Sequence, residues 1–219
     1  LSIGLLMLMD RERMRRLTAM QQMRSQIASD LHGEINTTLN NINILSEMAK
    51  LKAEKDVMRS KEYIEQISEK SSSMIIAMDD MLWSLAPEND SMRETHLRLQ
   101  EFADAMRSRY GAQIDLVVDS KVEELQMDMK VRHELFLILK LALRLIVEDG
   151  NGRNTIIHIG YTKSKLYVKM KDEEVRLVAA KPLTKKRVDE IKKRASVIGA
   201  ELDILDNQNG IIIVLILPL

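Results

Sequence analysis

The chain has 219 residues, enough for one large domain or two small ones. Its 33 basic and 33 acidic residues balance, which removes any bulk electrostatic case for a nucleic-acid partner. Cysteine is absent, excluding disulfides, thiolate catalysis and Cys-ligated zinc, while abundant Met, Leu and Ile beside scarce aromatics favour helix-on-helix packing.

The opening residues, L-S-I-G-L-L-M-L-M, are apolar and run into D-R-E-R-M-R-R. A spanning helix takes about 20 apolar residues, so this stretch is too short to cross a bilayer alone. A signal peptide carries its positive charge ahead of the apolar run, whereas Arg11, Arg13, Arg15 and Arg16 follow it here. Residues 1–13 are therefore expected to end a transmembrane or signal helix. The rest would then lie on the cytoplasmic side, as the intracellular part of a membrane protein. A packed helix start is the alternative.

From Met14 to Leu85 there is no proline and Gly33 is the only glycine. Ile27, Leu31, Ile35, Leu39, Ile42, Leu45 and Ala49 recur at three- and four-residue steps, predicting one long amphipathic helix. The polar stretch Lys50 to Arg59 predicts the turn. A second stripe follows at Ile64, Ile67, Ser71, Met74, Met78, Met81 and Leu85. Two helices cannot bury both stripes by pairing alone, but a four-helix bundle made by two chains can. Residues 14–90 are thus expected to form an antiparallel hairpin that homodimerises.

Pro87 and Glu88-Asn89-Asp90-Ser91 mark a boundary, and a second domain is expected over 91–219. Met92 to Tyr110 predicts a helix stopped by Gly111, and Gln113 to Val118 a strand. Val131 to Val147 is again helical, up to Asp149-Gly150-Asn151-Gly152. Thr155 to Tyr161 and Lys165 to Met170 alternate as strands. Thr184 to Ile198 predicts a basic helix with Thr184 as its cap and Gly199 as its stop. Glu201 to Leu205 and Ile211 to Leu217 close the chain as a hairpin. The fold class is α+β, with helices over a mostly antiparallel sheet.

On the first helix, His32 lies roughly 90° from the centre of the apolar stripe, at its margin. The segment Arg24 to Leu39, R-S-Q-I-A-S-D-L-H-G-E-I-N-T-T-L, resembles the phosphoacceptor segment of two-component sensor histidine kinases. M-L-W-S-L-A-P-E-N-D-S-M at Met81 to Met92 is similar to the hinge after the second helix in that family. Leu97 to Ala103, L-R-L-Q-E-F-A, resembles the start of its ATPase-type domain. K-K-R-A-S-V-I-G-A-E-L-D-I-L-D-N-Q-N-G-I-I-I-V-L-I-L-P-L resembles its closing helix and hairpin. The resemblance runs from about Met23 to Leu219. It implies a dimeric helical hairpin, forming a four-helix bundle across the dimer, followed by an α/β sandwich of the ATPase type. It also implies His32 as the phosphoacceptor position, with a response-regulator receiver domain or a related histidine kinase as partner.

The departures from that family bear on activity. The family's Glu and Asn, which serve catalysis and hold Mg²⁺, fall at Leu141 and Leu145, and Leu offers no oxygen to a hard cation. Of the adenine-reading D-x-G-x-G, Asp172 remains, but Glu174 and Arg176 replace the glycines. The glycine-rich lid becomes Lys181-Pro182-Leu183-Thr184-Lys185-Lys186, which lacks the flexible backbone of a phosphate cradle. Gly33 takes the place of the acid that follows the histidine. Glu34, one place on, turns to another face and is the acid/base candidate. The family's dephosphorylating Gln corresponds to Thr37.

These losses predict a pseudokinase that docks or regulates a kinase or response regulator and needs no cofactor. One rival reading is a histidine phosphotransferase relaying phosphate through His32. The other is an active kinase using Mg-ATP at an atypical site. His96, His133 and His158 show no ligand-like spacing, so no metal site is expected. Trp83 reads as a core or hinge residue. The run Lys181, Lys185, Lys186, Arg187, Lys192, Lys193 and Arg194 reads as a solvated helix face.

Overall fold

The computed structural model describes residues 2–175, 182–207 and 210–219. The side chains of 2–6, 8, 16, 23, 30, 31, 34, 182 and 207 lie outside that description. The chain divides into two compact units, Leu1–Pro87 and Glu88–Leu219.

The first unit is a helical hairpin. Helix α1 (Ser2–Lys52) runs without interruption through position 13, and α2 (Val57–Leu85) returns antiparallel to it. No helix among the described residues is long and apolar enough to cross a membrane. The turn is shorter than the polar stretch suggests, because Asp56 caps α2 by accepting a hydrogen bond from the Arg59 amide at 3.0 Å. One turn into α2, the buried Ser60 hydroxyl donates to the Ala49 carbonyl at 2.9 Å and fixes the register of the pair. Ile27, Ile35, Ile42, Leu45 and Ala49 of α1 and Tyr63, Ile67, Ser71, Met74 and Met81 of α2 are all wholly or partly buried.

That register corrects the expected stripes. Starting α2 at Val57 turns Ser60 and Tyr63 inward, so Ile64 is left 55% exposed, and Leu39 on α1 is 47% exposed. Ile75 and Leu82 also point outward, at 68% and 62%. A two-helix seam is too narrow to absorb a full amphipathic face, so apolar side chains remain beside it.

The second unit begins with α3 (Met92–Tyr110). Ser91 caps it, accepting from the Glu94 amide at 3.1 Å, and Gly111 ends it in the left-handed conformation at φ 65°. Strand β1 (Gln113–Val118) follows, then a short helix α4 (Ser120–Glu123) that the sequence pattern did not announce. Its Val122 is 1% exposed, so that turn is held by packing. Helix α5 (Met129–Arg144) continues into a π-helical turn, Leu145–Asp149, where the Gly150 amide reaches back to the Leu145 carbonyl at 3.0 Å.

Strands β2 (Asn154–Thr162) and β3 (Lys165–Asp172) form a hairpin, α6 spans Pro182–Val197, and β4 (Glu201–Asn207) and β5 (Gly210–Pro218) complete the chain. Thr184 lies inside α6 and does not cap it. Proline's fixed φ suits the first helical position, and the helix starts there. The sheet order is β1-β2-β3-β5-β4, with β1 parallel to β2 and the other pairs antiparallel. One face packs Ile157, Val168, Ile213 and Leu215 against Leu99 and Ala103 of α3, Leu139 and Leu143 of α5, and Ile191 and Ala195 of α6. This α+β sandwich has a core of its own.

Candidate functional site

Chemistry-bearing positions fall in both units. On α1, His32 is exposed, which leaves its ring open to a partner protein. Gly33 is exposed too, and a Cβ built there meets nothing within 4 Å. The absence of an acid beside His32 therefore reflects no steric demand. Glu34 continues the helix, but its side chain lies outside the described residues. Thr37 donates its hydroxyl to the Gly33 carbonyl at 3.0 Å.

In the second unit the positions singled out by the sequence converge at the end of α5. Leu145 opens the π turn with 0% exposure and belongs to the apolar core, while Leu141 packs against it one turn earlier. Asp172, at the end of β3, is 1% exposed. Its Oδ2 accepts from the Asn154 amide at 3.0 Å and the Thr155 hydroxyl at 3.1 Å, and its Oδ1 accepts from the Glu174 amide at 3.0 Å. Three donors on one buried carboxylate satisfy it within the fold.

The backbone beside Asp172 is closed by the glycines that remain. A Cβ on Gly152 would sit 2.9 Å from Asp172 Oδ2, and one on Gly150 would sit 2.4 Å from Cγ1 of Val175. Val175 itself is 1% exposed. Close backbone approach is thus used between parts of this chain. Arg176 and Lys181 lie outside the described residues.

Charge at this end comes from an ion cluster that joins four elements. Arg187 of α6, 9% exposed, donates to Asp149 Oδ1 at 2.7 Å and Glu148 Oε2 at 2.5 Å, and to the Arg144 carbonyl at 3.2 Å. Arg144 donates to Glu148 Oε1 at 2.9 Å, and the Tyr110 hydroxyl donates to the same oxygen at 3.1 Å. Burial by itself raises the Glu148 carboxyl, but hydrogen bonds and charge from Arg144 and Arg187 outweigh it and hold the group below its ordinary value. Burial pushes Asp149 up, aided by Glu148 next to it and only partly offset by Arg187. Its Oδ2 has no hydrogen-bond partner among the described residues.

Reading the basic run as a solvated face holds for Lys185, Lys186, Lys192 and Lys193, which are exposed, and needs correction at its two arginines. Arg187 is buried in the cluster above, and Arg194 pairs with Glu134 and Glu190, each at 2.9 Å. Charge spacing along the helix could not reveal this, because Glu134 and Glu148 lie 60 and 39 residues away in sequence. Lys140, also buried, stacks its ammonium 5.0 Å from the Phe102 ring centre.

The remaining histidines are paired within the fold or buried. His96 Nδ1 lies 2.7 Å from Glu123, His158 Nε2 lies 3.2 Å from Asp119, and His133 is 7% exposed. Among the described residues no three His, Cys, Asp or Glu gather as a metal site.

A helical segment followed by a five-stranded mixed sheet with helices on one face, in this strand order, defines a histidine-kinase-like α+β fold. No family model matches the chain, and no curated protein matches it by sequence. Solved structures do. The Erythrobacter litoralis EL346 blue-light activated histidine kinase superposes at a TM-score of 0.52 with 11% identity, over 88% of this chain and 60% of that one. A histidine kinase domain from the same protein gives 0.52 and 12%, covering 84% and 94%. The Acinetobacter baumannii histidine kinase AdeS gives 0.56 and 10%, covering 84% and 96%. The chain thus spans 60% of the first of these structures, and identities this low speak for the fold alone.

Proposed function

We propose that this chain is a signalling module of the histidine-kinase kind that works without ATP chemistry of its own. In this reading it is a pseudokinase, dimeric through its helical hairpin and tethered to a membrane by an upstream segment. It docks or regulates a response-regulator receiver domain or a related kinase. The observation that carries the reading is how the nucleotide-site positions are used. Leu145 is core, Asp172 spends its carboxylate on Asn154, Thr155 and Glu174, and Val175 closes on Gly150. Mg-ATP does not fit these residues. The metal would need oxygen ligands where leucines stand, and the buried carboxylates Glu148 and Asp149 already hold Arg187.

The test is thermal unfolding with and without millimolar Mg-ATP and Mg-ADP. A ligand at 100 times its dissociation constant adds about 2.7 kcal/mol, several degrees for a unit of this size. No shift is expected. A clear shift, followed by autophosphorylation of His32, would restore the active kinase.

A second reading rests on the exposure of His32. A neutral imidazole at a helix surface is a nucleophile that a receiver-domain aspartyl phosphate can reach, so the chain would relay phosphate as a histidine phosphotransferase. Transfer from a phosphorylated receiver domain, lost in His32→Gln, separates this from a pure docking role.

A further inference from the structure

Strand β5 reads G-I-I-I-V-L-I-L-P, seven consecutive apolar residues from Ile211 to Leu217. Such a run is the pattern of a strand covered on both faces, whereas a sheet with one face in water alternates apolar and polar residues. Among the described residues of this unit only one face is covered. Ile211, Ile213, Leu215 and Leu217 are at most 3% exposed beneath the helices, but Ile212, Val214 and Ile216 look outward and are only partly buried. Leu205 on β4 and Ile156 on β2, in the same outward row as Ile212, are 52% and 50% exposed.

The charges beside this apolar stripe are ordered. On its β3 side stand Lys165, Lys169 and Lys171, with Tyr167 between them and Lys171 paired to Glu173 at 2.5 Å. On its β4 side stand Glu201 and Asp203. Register places Lys169, Val214 and Asp203 in one row across the three strands, and Tyr167, Ile216 and Glu201 in the next. An apolar ridge thus has a basic rail on one flank and an acidic rail on the other, each about 5 Å away.

We infer that this outer sheet face packs against the same face of a second copy of the chain, on a two-fold axis running along β5. The charges select both the partner and the axis. Rotation about β5 lays each copy's β3 over the other's β4, so Lys169 meets Asp203 of the second copy while Val214 meets its own equivalent. A two-fold perpendicular to the strands would set lysine over lysine instead. An isologous contact needs a self-complementary surface, and this face is one. Two sheets packed in this way stand about 10 Å apart and form a β-sandwich across the dimer. The contact uses residues of the second unit only and is independent of whether ATP binds.

The chain has no cysteine, so engineered ones report cleanly. The whole 219-residue chain is used, with Val214→Cys treated with a short bismaleimide. A covalent dimer is expected, and none from Lys192→Cys, which is exposed on α6. Adding Asp203→Lys should cut the yield by about tenfold, because the two-fold applies every reversal twice. Adding Lys169→Asp to that variant should restore it. Asp203 is exposed, so an unchanged far-UV spectrum confirms that the variants fold. Absence of the dimer at Val214, equal linking at Lys192, or a yield indifferent to Asp203→Lys would overturn the inference. So would protection of Val214 within a single chain, which would make the cover intramolecular.

Discussion

Gly33 shows how one residue can be read in two ways. In a helix interior glycine costs about 1 kcal/mol relative to alanine, through backbone entropy. Such a cost is often offset by close packing, but no atom lies within 4 Å of the Cβ position here. Gly33→Ala should therefore raise hairpin stability by about 0.5–1 kcal/mol in urea unfolding; a loss of stability would mean a partner approaches that backbone. At the other candidate site, Glu148 shows the sign of a paired acid. Its carboxyl is held below its ordinary value, so its contribution is present above about pH 4.3 and is lost as pH falls through the lowered value. Asp149, raised, works the other way: its share is present at low pH and declines as pH rises through the raised value. Glu148→Gln should thus be less stable than the parent at neutral pH, with the gap narrowing below about pH 4. A gap that stays constant with pH would show that Arg144 and Arg187 do not sustain the charged form.

At the scale of elements, much of the second unit was legible because short-range chemistry decides it. Ser91 and Gly111 bracket α3 where a cap and a left-handed stop are needed, and β1 ends where the alternation ends. Ser91→Ala should cost about 1 kcal/mol, since it leaves the Glu94 amide without its acceptor. Guanidinium unfolding monitored by circular dichroism measures this, and an unchanged midpoint would mean that water replaces the cap. Other features were hidden because distant residues set them. The π turn forms where Gly150 and Gly152 fold back on Leu145 and Ile146, and α4 is held by the burial of Val122. The inward row of α2 follows from one bond between Ser60 and Ala49, which moved Ile64 out of the seam that periodicity alone assigned to it. In the candidate site, the apolar side chains at Leu141 and Leu145 and the charge at Glu174 are legible in the sequence, and on them rests the proposal that nucleotide ligands are missing. Arg187 at the same end was not, because its partners come from another helix.

At the scale of the whole molecule, the two units differ in how they hold themselves together. The sheet unit encloses an apolar core built from α3, α4, α5 and α6 and from all five strands, β4 contributing the partly buried Leu202 and Ile204. Among its described apolar side chains the hairpin fully buries Ile27 and Ala49 beside a line of half-covered ones, and it leaves Ile44, Ile64, Ile75 and Leu82 between 55% and 68% exposed. Apolar surface left exposed on these helices supports the proposed association, which predicts a hairpin stability that depends on concentration. Trp83 is the only tryptophan, and it lies near the end of α2, so its fluorescence reports the unfolding of that helix. The midpoint of that signal should rise with protein concentration, by about 1.4 kcal/mol of dimer stability for each tenfold increase. The infrared band of the β-sheet should survive dilution beyond the loss of the Trp83 signal, because the sheet's core does not require a second chain. A Trp83 midpoint constant over about a hundredfold range would show that one chain suffices to hold the hairpin. The exposed rows of α1 and α2 would then be open for a different protein to cover.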